Sequence, residues 1–276
     1  MTNATIIPVL LHDVQAETDA RGLNIDRVGV NGLSYPISVL EQGGGLQQTI
    51  GDISLAVSLS DDERGTHMSR FIEIFELYRG EITIRTVPAL LDELRIRLES
   101  ESAEMNLTFP YFLERLAPVT GKSAMMEYSC GFKGVRAVDG DLFTLSVMVP
   151  ISTLCPCSKE ISDYGAHNQR GYVTVQVRSN SFEDEDLIWI EEVIGWVEES
   201  ASAPVYPLLK RPDERHVTMQ AYDNPRFVED IVREVGGRLQ GDGRVAWFHV
   251  RAENIESIHN HSAFAEIEWV REEVSG

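Results

Sequence analysis

The hydrophobic periodicity of this chain changes in a fixed order and then repeats, and that order restricts the fold more than any single motif does. Residues 23–40 and 46–60 are rich in β-type residues and are joined by the glycine turn Gly43-Gly44-Gly45, which predicts a hairpin. Phe71, Ile74, Phe75 and Tyr78 follow the three-to-four spacing of one helix face, with Thr66 as a candidate cap, and Pro88 opens a second helix over 89–98. β-type runs return at 106–116, 125–134 and 142–150. Beyond them the chain offers a strand at 172–178, helices over 185–199 and 225–238, and strands at 245–252 and 263–271. Each half reads approximately as strand, strand, helix, helix, strand, strand, although the second shows one clear strand ahead of its helices. The expected class is therefore α+β, antiparallel sheet with helices packed on one face. No Pro/Ser-rich linker interrupts the pattern, so 1–276 reads as one compact unit, with a first half at 22–150 and a second at 151–272.

A chain of 276 residues with 43% apolar composition can bury a large core. Its 24 basic and 44 acidic residues leave a net charge of −20, which excludes general attraction to nucleic acid, since that needs a basic surface to replace condensed counterions. An anionic ligand would need a local basic patch. No run approaches the roughly 20 apolar residues of a membrane span, and residues 1–12 lack the basic start and apolar core of a signal peptide, so a cytoplasmic protein without a membrane partner is expected. Three cysteines argue against a disulfide framework. Cys130 lies in a strand-like run and reads as a core thiol, which leaves Cys155 and Cys157 for metal or catalytic chemistry.

Cys155 and His167 offer a soft thiolate and an imidazole, the pair that zinc and similar divalent ions favour. Glu214, in the polar, proline-broken stretch Leu208-Leu-Lys-Arg-Pro-Asp-Glu214, is a candidate third donor. His259 and His261 stand two apart; in an extended segment they would face one side together. Taken singly, Cys-Pro-Cys fits two packed thiols, His-x-His fits a solvated strand, and Glu214 fits a salt-bridged turn. Together, these cysteines and histidines fall into two short polar motifs, with only His216 and His249 outside them in the second half.

The run Leu154-Cys-Pro-Cys-Ser-Lys-Glu-Ile-Ser162 with Tyr164-Gly-Ala-His-Asn-Gln-Arg170 resembles the signature of GTP cyclohydrolase IB, the second form of the enzyme that opens folate synthesis. The resemblance continues through Arg64-Gly-Thr-His-Met-Ser-Arg-Phe71, the Leu208–Glu214 stretch, Tyr222-Asp-Asn-Pro-Arg-Phe-Val-Glu-Asp230 and His259-Asn-His261. One departure is Val217-Thr-Met219, where the family often has Val-Thr-Glu. The resemblance implies the tunnelling fold, two ββααββ halves per subunit, in a homotetramer with active sites between subunits. It implies a divalent metal (zinc, manganese or iron) on Cys155, His167 and Glu214, with Glu229 anchoring the purine of GTP.

The family's paired active-site histidines fall on His259 and His261, which with Cys155 are the expected catalytic residues. His67, Lys210 and Arg211, with Arg64 and Arg70, are the cations expected at the triphosphate, because Arg forks and helix N-termini both suit phosphate oxygens. Cys157 lies close enough in sequence to Cys155 for a reversible disulfide. Three other readings share the signature or the fold type. One is the archaeal GTP cyclohydrolase that ends at a cyclic phosphate, and another is a purine- or metal-binding tunnelling-fold protein without turnover, which Met219 favours. The third is the nitrile reductase of queuosine synthesis, which would use a nicotinamide.

Overall fold

The computed structural model describes residues 12–83, 85–138, 140–181 and 183–272. The elements in order are β1 (Ile25–Leu40), β2 (Leu46–Leu59), α1 (Met68–Tyr78), α2 (Val87–Arg97), β3 (Ala103–Leu116), β4 (Ser123–Ala137) and β5 (Gly140–Leu154). A short α3 (Pro156–Ile161) and β6 (Asn168–Ser179) come next, followed by α4 (Ile190–Ser200), the two-residue β7 (Ala203–Pro204), α5 (Arg211–Asp223) and α6 (Val228–Gly241). The strands β8 (Val245–Ile255) and β9 (Ser262–Val270) complete the set. One antiparallel sheet runs β1-β2-β3-β4-β5-β6-β8-β9, and β7 pairs with the end of β5.

Two-residue alternation produces the single covered face. In β3 the side chains of Ala103, Met105, Leu107, Phe109 and Tyr111 are buried, while Glu104, Asn106 and Thr108 point to the other face. Phe71, Ile74 and Phe75 of α1 and Val87, Leu90, Leu91 and Leu94 of α2 close over that face. In the second part of the chain Val193, Ile194 and Val197 of α4 and Ile231, Val235 and Leu239 of α6 do the same for β5, β6 and β8. Cys130 is buried in this core, and burial pushes its thiol pKa well above the usual cysteine range, as expected of an inert core thiol.

A proline inside a central strand is unusual because it removes a ladder donor. Pro110 lies past Thr108, the last residue of β3 paired with β2. Beyond it, side chains replace the ladder: Thr49 Oγ1 donates to Pro110 O at 2.8 Å, and the Gln47 amide both accepts from Phe112 N–H at 2.7 Å and donates to Phe112 O at 2.8 Å.

The structure departs from the expected pattern at four places. His67, not Thr66, occupies the N-cap of α1, without a side-chain capping bond. Residue 150, the expected junction of two halves, lies inside β5, which is unbroken to Leu154. Two strands, β5 and β6, precede the later helices. The proline-broken stretch at 208–214 opens a 13-residue helix, α5, because proline is compatible with a first turn whose N–H groups have no intrahelical partner.

Antiparallel order sorts the loops between two ends of the sheet. Residues 41–45, 117–122, 155–167 and 256–261 lie at one end; 60–67, 98–102, 180–189 and 242–244 lie at the other. Replacing the fully buried Ile74 by Ala should cost about 2–5 kcal/mol of unfolding free energy, whereas Ile96→Ala, at a position 71% exposed, should stay within about 0.5 kcal/mol. Denaturant titration of the two variants checks this assignment of faces.

Candidate active site

Cys155 follows directly on β5 and caps α3. Its Sγ accepts the Ser158 N–H at 3.4 Å, and its own N–H donates to His167 O at 3.1 Å. Ser158 closes the loop, its hydroxyl donating to Cys155 O and accepting from His167 N–H, each at 3.2 Å. Within this loop Gly165 has φ +132°, a conformation that side chains rarely adopt.

The preceding residue is clamped on both sides: Leu154 N–H donates to Ser202 Oγ at 3.1 Å, and Leu154 O accepts from Arg226 N–H at 3.0 Å. Asn224 Nδ2 donates to Ala201 O at 2.8 Å, and the Lys159 ammonium donates to Tyr222 O while standing 4.3 Å from the centre of that ring. The chain after α4 and the start of α6 are thereby tied to the cysteine loop.

His167 Nδ1 lies 2.9 Å from Gln169 Oε1 and 3.4 Å from Ser257 Oγ. With the Gln169 oxygen as acceptor, Nδ1 carries the proton and Nε2 keeps its lone pair, the tautomer in which histidine ligates metals. The Ser257 contact brings the β8–β9 turn to the same place. His259 and His261 stack there, with ring centres 5.1 Å apart and planes at 19°. Their segment is bent rather than extended, so the facing of the two rings comes from the turn and not from strand alternation.

Glu229 stands exposed in the first turn of α6, two residues after Phe227, whose N–H is capped by Asp230 at 3.0 Å. Lys210, Arg211 and Glu214 open α5 and are exposed. Between them Asp213 is fully buried. It accepts the N–H groups of Val119 and Thr120 and the Thr120 hydroxyl, each at 2.8 Å, and the Lys210 N–H at 2.9 Å. Burial raises the carboxyl pKa, but these donors outweigh it and hold the group well below the usual carboxylate range. Nearby, Glu198 of α4 pairs with Arg115 and accepts the Tyr128 hydroxyl at 3.0 Å; burial pushes its carboxyl pKa up.

The structure thus gathers Cys155, His167 and the His259/His261 turn at one end of the sheet and ties the end of α5 and the lead into α6 to the same loop, while the start of α5 is bonded to the β3–β4 hairpin. Among the described residues, no three side chains of His, Cys, Asp or Glu are grouped closely enough to hold a metal, so Glu214 is not clustered with Cys155 and His167. His67 lies at the opposite end, with Nε2 3.2 Å from Asp13 Oδ2, while Arg64 pairs with Glu17 and Arg70 donates to Arg97 O at 2.9 Å. Sequence reasoning passed over Gln169, Ser257, Arg226 and Asp213. Only Asp213 carried a local signal, an acid three residues after the helix cap.

Residues 11–265 match the family model described as type I GTP cyclohydrolase FolE2. A protein of Syntrophus aciditrophicus named GTP cyclohydrolase FolE2 is 50% identical over 256 residues, covering 93% of this chain and 98% of that protein. One of Nitrosococcus oceani with the same name is 47% identical over 266 residues, covering 95% and 98%. Among solved structures, uricase from Arthrobacter globiformis aligns with a TM-score of 0.54 at 8% identity, over 89% of this chain and 93% of its own. Urate oxidase from Bacillus sp. TB-90 aligns at 0.51 and 11%, over 90% and 100%. The structural likeness shows a shared α+β sheet architecture and nothing of activity. The match over nearly the whole sequence shows that the chain belongs to the type I GTP cyclohydrolase FolE2 family.

Proposed function

We propose that this protein is a GTP cyclohydrolase I, hydrolysing GTP to 7,8-dihydroneopterin triphosphate and formate, the reaction that opens folate synthesis. The observation that supports it best is the convergence of Cys155, His167 and the stacked His259/His261 pair at one sheet end, in a chain about half identical to proteins named for that activity. The run Leu154–Arg170 that carries the type IB resemblance lies inside the stretch matched by the FolE2 family model.

Cys155 and His167 would hold a divalent ion, zinc, manganese or iron, with Glu214 as third donor. Two of the donors fit as they stand: thiolate and imidazole suit such ions, and the Gln169 bond to Nδ1 leaves Nε2 of His167 for a ligand, while Glu214 stands apart from them in this chain and would have to come to the ion on binding. Such an ion, when bound, lowers the pKa of a coordinated water from 15.7 to about 7. Glu229 accepts the guanine N1–H and exocyclic amine, a two-donor edge that matches the two oxygens of a carboxylate. His259 and His261 give a proton to the departing imidazole nitrogen and take one during release of the formyl group.

The triphosphate is held by Lys210 and Arg211 together with His67, Arg64 and Arg70. His67 stands at the far end of its own sheet, so it meets Lys210 only if a second subunit supplies it. We therefore infer a homotetramer of tunnelling-fold subunits with active sites between them. Two features support assembly. Among the described residues β1 and β9 each pair with one strand, β1 being met on its other side by the bridge from Val39 to Ile82, and α5 buries only Asp213 and Ala221 within its own chain. Each subunit is then two ββααββ halves, β1 to β4 and β5 to β9. No described helix is long and apolar enough to cross a membrane, and we place the enzyme in the cytoplasm.

Metal-reconstituted protein given GTP should release formate and yield a fluorescent oxidised pterin with a linear triphosphate; a cyclic phosphate in the phosphorus spectrum would favour the archaeal-type reaction instead. Cys155→Ala should lose both metal and activity, while Cys157→Ala keeps its metal; equal metal content in the two purified variants contradicts the ligand assignment. Glu229→Gln sets a donor against the donor edge and should weaken GTP binding by at least ~2 kcal/mol with metal retained, and calorimetry showing unchanged affinity would retire that role. His259→Ala and His261→Ala should each keep metal and GTP while turnover falls roughly 10²- to 10⁴-fold. Loss of metal in either would move that histidine into the ligand set.

A further inference from the structure

We propose that Asp213 is a positioning residue for the reaction: through it the tip of the β3–β4 hairpin sets the place of the first turn of α5, and with it Lys210 and Glu214. The proposal rests on the roles given to those two residues above. A capping carboxylate needs one bond, to the N–H of the cap residue. Asp213 makes that bond to Lys210 at 2.9 Å and then three more outside the helix, to Val119 N–H, Thr120 N–H and Thr120 Oγ1. The extra bonds join the helix to a hairpin that is distant in sequence.

The hairpin end is itself preformed. Ala117 N–H donates to Lys122 O at 2.9 Å and Gly121 N–H to Ala117 O at 3.0 Å, with Gly121 at φ +64°. Nothing comparable packs the rest of α5, since Ala221 is its only other buried residue. The helix is pinned at its far end by Tyr222 to Lys159 and by Asn224 to Ala201. Its near end, where Lys210 and Glu214 stand in solvent, is fixed by the one carboxylate buried between them. All four donors are neutral N–H or O–H groups, so the site is specific for an acceptor on both oxygens. An amide would turn its NH₂ toward one of them.

The test compares Asp213→Asn and Thr120→Val with Glu214→Ala and Lys210→Ala in the full-length protein. Affinity for Zn²⁺ alone is read by competition with a chromogenic chelator, and KM and kcat for GTP are read at saturating metal. Asp213→Asn should remain folded by circular dichroism, bind Zn²⁺ at least tenfold more weakly and raise KM at least tenfold. Thr120→Val should move both in the same direction by less. If Asp213→Asn lowers only the melting temperature, with Zn²⁺ affinity and KM at wild-type values, the role is structural and the proposal is overturned.

Should Glu214→Ala keep wild-type Zn²⁺ affinity, the ligand role of Glu214 is what fails. The KM of Asp213→Asn, set against that of Lys210→Ala, then decides positioning by itself: a comparable rise supports it and no rise overturns it. If Asp213→Asn does not fold, Thr120→Val carries the same criteria.

Discussion

The antiparallel register of β5 with β6, and of β6 with β8, is the constraint on which the candidate site depends. Leu154 pairs with Asn168 and Arg170 with Ile255, so the residues just past β5, just before β6 and just past β8 emerge at one end of the sheet. Cys155, His167 and Ser257 occupy those positions. A slip of one residue in either pairing would move the whole apolar set to the solvent face. Val147, Val149 and Ile151 on β5 and Val173, Val175 and Val177 on β6 are almost fully buried, so burial of one face holds the register that local loop bonds then refine.

A second layer of control is polar and buried. Two carboxylates tie the later helices to the β3–β4 hairpin in different ways: Glu198 meets a charged partner, Arg115, and a tyrosine hydroxyl, whereas Asp213 meets only neutral donors. The difference appears in their chemistry. Burial dominates at Glu198 and raises its pKa, while the converging N–H groups at Asp213 keep it ionised well into the acid range. In a chain with net charge −20, the local cations Lys210 and Arg211 beside a buried acid are what an anionic substrate would find at this end. At the far end His67 and Arg64 already face carboxylates of residues 13 and 17, which a triphosphate would have to displace.

Much of this was legible in the sequence. Strand alternation and the spacing of Phe71, Ile74, Phe75 and Tyr78 located the main elements, because each buries one face against the same sheet. The helix α5 escaped detection since it has almost no buried face: its residues are polar, it begins with Arg-Pro, and its stability comes from end contacts rather than from an apolar stripe. The histidine pair was legible as a pair, but its geometry was not, since a bend rather than strand alternation stacks the rings. His67 shows the limit most plainly. Its motif is local, yet whether it shares an end of the sheet with Cys155 follows only from the strand order, and it does not.

We propose that the ends of β5, β6 and β8 assemble one metal-dependent GTP site, completed by another subunit. Anomalous diffraction from crystals loaded with zinc and a non-hydrolysable GTP analogue tests it most directly. The expected result is an anomalous peak between Cys155 Sγ and His167 Nε2, the guanine on Glu229, and a second subunit's copy of His67 near the triphosphate. A peak at the His259/His261 pair with Cys155 unligated, or a nucleotide bound wholly within one chain, would contradict it.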